Sequence, residues 1–263
     1  MYVHDSRQVL IYLAIKYEGD AQKMITAMEL REDLEVPDEE IRKVCDSLEC
    51  KTITFLDYDF PQKLKKMFHP PLVLFYYGDI SLIDDNRRKY GVVGSRDYDE
   101  YSKEVTESLI KDLGRDKVVV SGLARGIDAV AHQAAINNKT RTIAVLGSGI
   151  DNCYPSENKE LYEIIKKDHL VISEYPGQTV PDASHFPLRN RIVVALSDAL
   201  IVPQVNSEIS GTTISVNLAS QTNKPLFVVP HPFFSKTHNN YLINEGACMA
   251  LSAQQILEEL HWE

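Results

Sequence analysis

VVVSGLARGIDAVAH, residues 118–132, is the stretch on which the reading of the chain turns. Val118–Val120 is a continuous apolar run, as expected of a strand covered on both faces. Ser121 and Gly122 turn the chain, Arg125 is left outside, and a helix opens at Gly126–Ile127–Asp128. Glycine lets the backbone turn sharply and lets a second molecule approach it closely. The unpaired N–H groups of a helix start, with Arg125 beside them, suit a phosphate. The alternative is local: Gly122 and Gly126 only turn the chain, and Asp128 caps the helix.

The same strand–helix alternation continues on both sides. Leu72–Tyr77 reads as the first strand of a main domain, followed by strands at 90–94, 117–121, 141–146, 169–173, 199–203 and 225–229. Helices are expected at 99–113, 127–138, 157–167, 188–197, 212–222 and 252–260. Repeated units of this kind imply an α/β fold, an extended Rossmann-like and mostly parallel sheet with helices on both faces. Residues 1–56 form a small helical N-terminal region, with apolar stripes at Val9, Leu10, Leu13 and Ile15 and at Ile41, Val44 and Leu48. Residues 57–263 form the main domain.

The totals narrow the function classes. Across 263 residues the formal net charge is −10, against indiscriminate nucleic-acid binding. Residues 18–49 hold eleven acids against four bases, and residues 91–263 hold 21 against 15, so a polyanion site must be a local patch. Cys45, Cys50, Cys153 and Cys248 lack paired spacing, and the eight histidines lack an HExxH pattern, so no metal is expected. No apolar run is long enough to span a bilayer and no signal-peptide pattern opens the chain, which gives a cytoplasmic expectation without membrane contact.

In a parallel sheet the loops after the strands share one edge, where ligands bind. Gly94–Ser95–Arg96 follows one strand, Arg125 the next, Gly147–Ser148–Gly149–Ile150–Asp151 and Tyr154–Pro155 a third, and Glu174–Tyr175 a fourth. Four of the six arginines in residues 91–263 (Arg96, Arg125, Arg189 and Arg191) fall in or beside these segments. LGSGID lacks the third glycine on a helix that a dinucleotide fingerprint needs, so no nicotinamide cofactor is expected. FPLRNR, 186–191, sets Arg189 and Arg191 on either side of Asn190. In a turn both could point at one backbone; otherwise Asp182 or Asp198 would pair with them. Asp128 and His132 lie on one helical face, where a structural hydrogen bond is favoured over catalysis because no nucleophile accompanies them.

Eight motifs then fall in register: VGSR (93–96), SGLARGIDAVAH (121–132), TIAVLGSGID (142–151), YPSEN (154–158), ISEYP (172–176), FPLRNRI (186–192), SGTTIS (210–215) and LINEGA (242–247). From about residue 57 to 260 the chain closely resembles the DprA/Smf family of DNA-processing proteins. The resemblance implies a Rossmann-like homodimer that binds single-stranded DNA, helps load a RecA-type recombinase in natural transformation and recombination, and turns nothing over. Departures are His231 and His238 where the family usually has glycine, Pro203–Gln204 in place of an acid, and Ser156–Glu157 where a basic residue is common. The family's frequent winged-helix tail is not expected, since the sequence stops at Glu263. The rivals are a nucleotide-binding sensor and a nucleoside-monophosphate phosphoribohydrolase of the lysine-decarboxylase-like group. That hydrolase needs a glutamate near Ile214 and Ser215, and none is there.

The expected interface is therefore a phosphate-binding floor of Gly94, Ser95, Arg96, Ser121, Gly122, Arg125, Gly126 and Asp128, with Arg189, Asn190 and Arg191 adding charge and donors. Tyr154, Tyr175 and Phe186 are the candidate stacking partners for bases. About four phosphate contacts would give a log–log salt slope of about −3. Tyr241, Ile243, Met249 and Leu251 are the candidate dimer surface. No cofactor is called for.

Overall fold

The computed structural model describes residues 5–260; residues 1–4 and 261–263, the outer ends of the two expected regions, lie outside the described residues. Asp5 accepts a hydrogen bond from Arg7 N and caps α1, Ser6–Lys16. Asp20 does the same for α2, Ala21–Glu29, through Lys23 N. Three acids occupy the first turn of α3, Asp38–Asp46, where they complement the helix dipole. Strand β1, Lys51–Thr54, pairs antiparallel with β2, Val73–Gly78, after the short α4, Gln62–Lys65.

From here the alternation follows the sequence. β3 (Lys89–Val92) leads to α5 (Glu100–Leu113), β4 (Val118–Ser121) to α6 (Ile127–Asn137), and β5 (Arg141–Leu146) to α7 (Lys159–Asp168). β6 (Leu170–Ser173) leads to α8 (His185–Leu196), β7 (Ala199–Val202) to α9 (Gly211–Gln221), and β8 (Leu226–Val228) to α10 (Asn239–Asn244). The two-residue β9, Cys248–Met249, and α11, Ala253–Glu259, complete it.

All nine strands form one sheet in the order β1-β2-β6-β5-β4-β3-β7-β8-β9. β6 through β9 are parallel. β2 departs from the parallel pattern expected of the first strand: it is antiparallel to β6 as well as to β1. Its sequence shows burial but not direction. Direction is set by what precedes a strand, and no crossover helix joins β2 to β6.

Every residue of β4 is buried, which accounts for its unbroken apolar run. On one side of the sheet Val118, Val120, Ile143 and Ile172 meet Val193 and Leu196 of α8. Elsewhere, Leu10, Leu13 and Ala14 of α1 share a core with Phe75, Leu146 and Val171. β1 lies before the boundary expected near residue 56 and α1 packs on the sheet, so the packing runs across that boundary.

Candidate nucleic-acid interface

The central loop adopts the turn that its sequence calls for, with most of its polar groups turned inward. Gly126 has φ +91°, and a Cβ there would sit 2.3 Å from Ser95 O. Both the backbone angle and the close approach demand glycine. Asp128 does not cap α6; the N-cap is Gly126, with no side-chain cap bond. Its carboxylate reaches back across the turn to accept from Gly122 N at 3.1 Å, so that N–H is not free for a ligand. Ser121 Oγ donates to Val92 O at 2.6 Å and is fully buried. Ile127 N donates to Ser95 O, and Ser95 Oγ accepts from Asn206 N, which ties the loops after β3, β4 and β7 together. Gly94 packs beside Ile127 at the root of this knot. Ser95, Ser121 and Gly122 thus build the loops and are engaged within the chain.

The four arginines divide into two pairs. Arg189 and Arg191 lie on a regular helix, α8, and so do not share a direction as a turn would have allowed. Arg189 is 5 % exposed and donates through Nη1 to Gly122 O and Val145 O and through Nε to Asn190 Oδ1. A Cβ on Gly122 would collide with its guanidinium, so the glycine is there for the arginine. Burial pushes the Asp128 carboxyl up and the Arg189 guanidinium down, and each charge opposes the shift of the other. Arg191 pairs with Glu174 at 2.6 Å, not with Asp182 or Asp198. Burial also pushes the Glu174 carboxyl up, against the pull of Arg191. Asn190 Nδ2 donates to Gly211 O.

Arg96 and Arg125 are exposed. The Arg96 guanidinium carbon lies 5.8 Å from the centroid of the Phe186 ring. Tyr154, also exposed, places its ring 5.6 Å from Phe186, and Arg125 forms an ion pair with Asp97. A cleft of about 390 Å³ runs between them, bordered by Arg96, Arg125, Tyr154, Glu157 and Phe186. Tyr175 is not in it: the residue is buried, and its ring stacks on His185 at 3.9 Å. Asp128 and His132 do not partner each other either. Thr142 Oγ1 donates to Val119 O at 3.0 Å, so at 2.7 Å it accepts from His132 Nδ1.

One other residue holds the cleft in shape. Asn158 Nδ2 donates to Leu123 O and Ala124 O, bracing the loop that carries Arg125. The sequence offers YPSEN as a motif but nothing that assigns this bond. His231 and His238, expected to reshape their loop, are not among the described residues with positive φ; His238 has φ −91°. At the far edge Tyr241, Met249 and Leu251 are exposed, whereas Ile243 packs against the core. No described helix is long and apolar enough to cross a membrane, and no described cluster could hold a metal ion.

The family model described as DNA recombination-mediator protein A matches residues 51–261. The DNA processing protein DprA of Bacillus subtilis is 41 % identical over 212 residues, 80 % of this chain and 71 % of that protein. The crystal structure of DNA processing protein A from Streptococcus pneumoniae superposes with a TM-score of 0.81 at 32 % identity, covering 96 % of this chain and 93 % of that one. That likeness extends over the helices before β1. The Helicobacter pylori protein, whose structure concerns its single-stranded DNA binding mode, superposes at 0.73 with 31 % identity over 81 % of this chain and 96 % of its own. This chain belongs to the DprA/Smf family of DNA-processing proteins.

Proposed function

We propose that this protein binds single-stranded DNA in the cleft between Arg96, Arg125, Tyr154 and Phe186 and presents the strand to a RecA-type recombinase. It acts as a binding protein without turnover. The observation that carries this is the trio Arg96–Phe186–Tyr154 at the carboxyl edge of the parallel strands, in which exposed Arg96 and Tyr154 both lie beside the half-buried Phe186 ring. Guanidinium and aromatic faces stack on unpaired bases, and every base has such a face, so little sequence preference follows. Duplex DNA hides those faces, and the cleft offers no element shaped for a groove. The Helicobacter pylori relative supports the strand chemistry, and the recombination-mediator description of the family supports the partner.

The test is a titration of the protein with single-stranded and duplex DNA over a range of salt. With Arg189 buried and Arg191 held by Glu174, about two phosphate contacts remain, and the slope becomes about −1.4 instead of about −3. A slope near zero at measurable affinity, or equal affinity for duplex, overturns the proposal. Added recombinase should then form filaments faster on strand carried by the protein; no acceleration removes the second half of it.

A further inference from the structure

β3 and β7 are neighbours, yet the chain leaves β3 toward β6 and returns to lay β7 on the other side of β3. The crevice beyond their carboxyl ends is the topological switch point, where open α/β sheets take ligands. A cavity of about 450 Å³ occupies it, within the range of small-molecule sites. One wall is the Gly94–Asp97 loop and the other is the first turn of α9.

The start of α9 has donors to spare. Its N-cap, Ser210, and Thr213 satisfy each other through a capping box, and Ile214 N bonds to Ser210 O. The N–H groups of Gly211 and Thr212 keep no partner among the described residues, and the space over Gly211 is open. Thr212 lines the cavity, is 7 % exposed, and its hydroxyl bonds to nothing among the described residues. Ser215, one turn on along the same face, also lines it; it is 1 % exposed and its Oγ has no hydrogen-bond partner. Buried hydroxyls are nearly always paired, so the orphaned Ser215 Oγ, on the same cavity wall as the unbonded Thr212 hydroxyl, points to a ligand.

Charge selects its class. Asp128 faces Arg189 and Asp97 is taken by Arg125, whereas Arg96 has no acidic partner among the described residues. One free guanidinium and a helix start together suit an anion. A phosphomonoester carries about −1.5 to −2 charges and has three free oxygens, more than a diester inside a chain can offer.

We propose that this cavity holds a phosphomonoester nucleotide, with its phosphate on Gly211 N, Thr212 N and the Thr212 hydroxyl beneath Arg96. A sugar or base polar group reaches Ser215. The nucleotide is either the 5′-phosphorylated end of a bound strand or a free nucleoside monophosphate. The first source rests on the single-strand function proposed above; the second does not.

The experiment compares oligothymidylates of one length carrying a 5′-phosphate or a 5′-hydroxyl, and separately titrates thymidine 5′-monophosphate. The variants are Thr212→Val, which keeps the shape and removes the hydroxyl, and Gly211→Pro. Proline is tolerated at the first helical position, and Ser210 before it is already extended (φ −155°, ψ 166°). A strand end in the cavity gives roughly tenfold tighter binding of the phosphorylated strand, the size of one charge-assisted hydrogen bond. Both variants erase that preference and leave the hydroxyl strand unchanged. Binding of the monophosphate alone, weakened by the same variants, assigns the cavity to the free nucleotide. Equal affinity for both strands with no monophosphate binding overturns this inference while the strand-binding function stands. Failure of every strand to bind removes that function instead, and the monophosphate titration then decides the cavity by itself.

Discussion

Arg96 leaves β3 and Phe186 opens α8, yet the guanidinium of the first lies over the ring of the second, 5.8 Å from its centroid. The contact places an exposed cation beside an aromatic ring, where it can meet both a phosphate and a base. Arg96→Ala should weaken single-strand binding about tenfold and make the salt slope shallower by about 0.7. Arg96→Lys should keep the slope and lose affinity, because an ammonium neutralises a phosphate without offering a plane. Anisotropy titrations at several salt concentrations separate the two. Equal loss of slope in both variants would refute a stacking role.

The cleft also carries acids that oppose a strand. Asp97 occupies Arg125, and Glu157 lines the same wall. Asp97→Asn frees the arginine and should tighten binding severalfold while steepening the slope. Glu157→Lys, which reverses the charge on that wall, should do the same and add to it. If neither variant tightens binding, the strand does not pass between these residues.

Arg189 calls for the opposite outcome. It is buried with Asp128, so Arg189→Met strands a carboxylate and two backbone carbonyls. A cost of about 3–5 kcal/mol is expected, read as a lower urea midpoint. Its effect on DNA binding should vanish once the folded fraction is taken into account. A fully stable variant with lost affinity would make Arg189 a strand contact after all.

That division was half legible in the sequence. The parallel core and six helices of the main domain follow from apolar runs and period, because buried strands leave strong patterns; the short α4 and α10 were not expected. β1 is only half buried and β9 is two exposed residues, and pairing with a neighbour, which no local pattern records, makes them strands. The gathering of arginines at one sheet edge was visible too. Arg189, however, stands three, four and seven residues before Ile192, Val193 and Leu196, so it belongs to the buried stripe of α8. That spacing was a signal against exposure, outweighed by the expectation that charge faces solvent. Tyr175 gave no such sign; it is buried in the fold with His185, from the start of α8, stacked on its ring.

His132 makes a pH prediction. Burial, with His169 and Arg189 nearby, lowers its pKa from 6.5 to about 3. The folded state therefore refuses a proton that the unfolded chain accepts below pH 6.5. Its contribution to stability is complete above that value and is lost as pH falls toward 3. Between pH 6.5 and about pH 5 the loss is about 2 kcal/mol. His132→Asn keeps a donor toward Thr142 and cannot be charged, so its urea stability should vary less over that window. An unchanged pH profile would mean that other groups set it, with buried His169, shifted the same way, first among them.

The exposed edge at β9 bears on assembly. Among the described residues β9 pairs with β8 alone, and Tyr241, Met249 and Leu251 stand exposed around it at 51, 44 and 65 %. An uncovered sheet edge ringed with apolar side chains invites a second copy, and a two-fold pair would use the same patch twice. Ile243, expected beside them, packs inward, so a charge there would damage the fold and say nothing of assembly. The informative variant is Met249→Glu with Leu251→Glu. Sedimentation should find a wild-type dimer at micromolar concentration and a folded monomeric variant. Two clefts on one particle make the second contact with a long strand intramolecular, so the variant should lose about a hundredfold for long oligonucleotides and little for short ones. A wild-type monomer ends the proposal, and so does a monomeric variant that holds long strands as tightly as before.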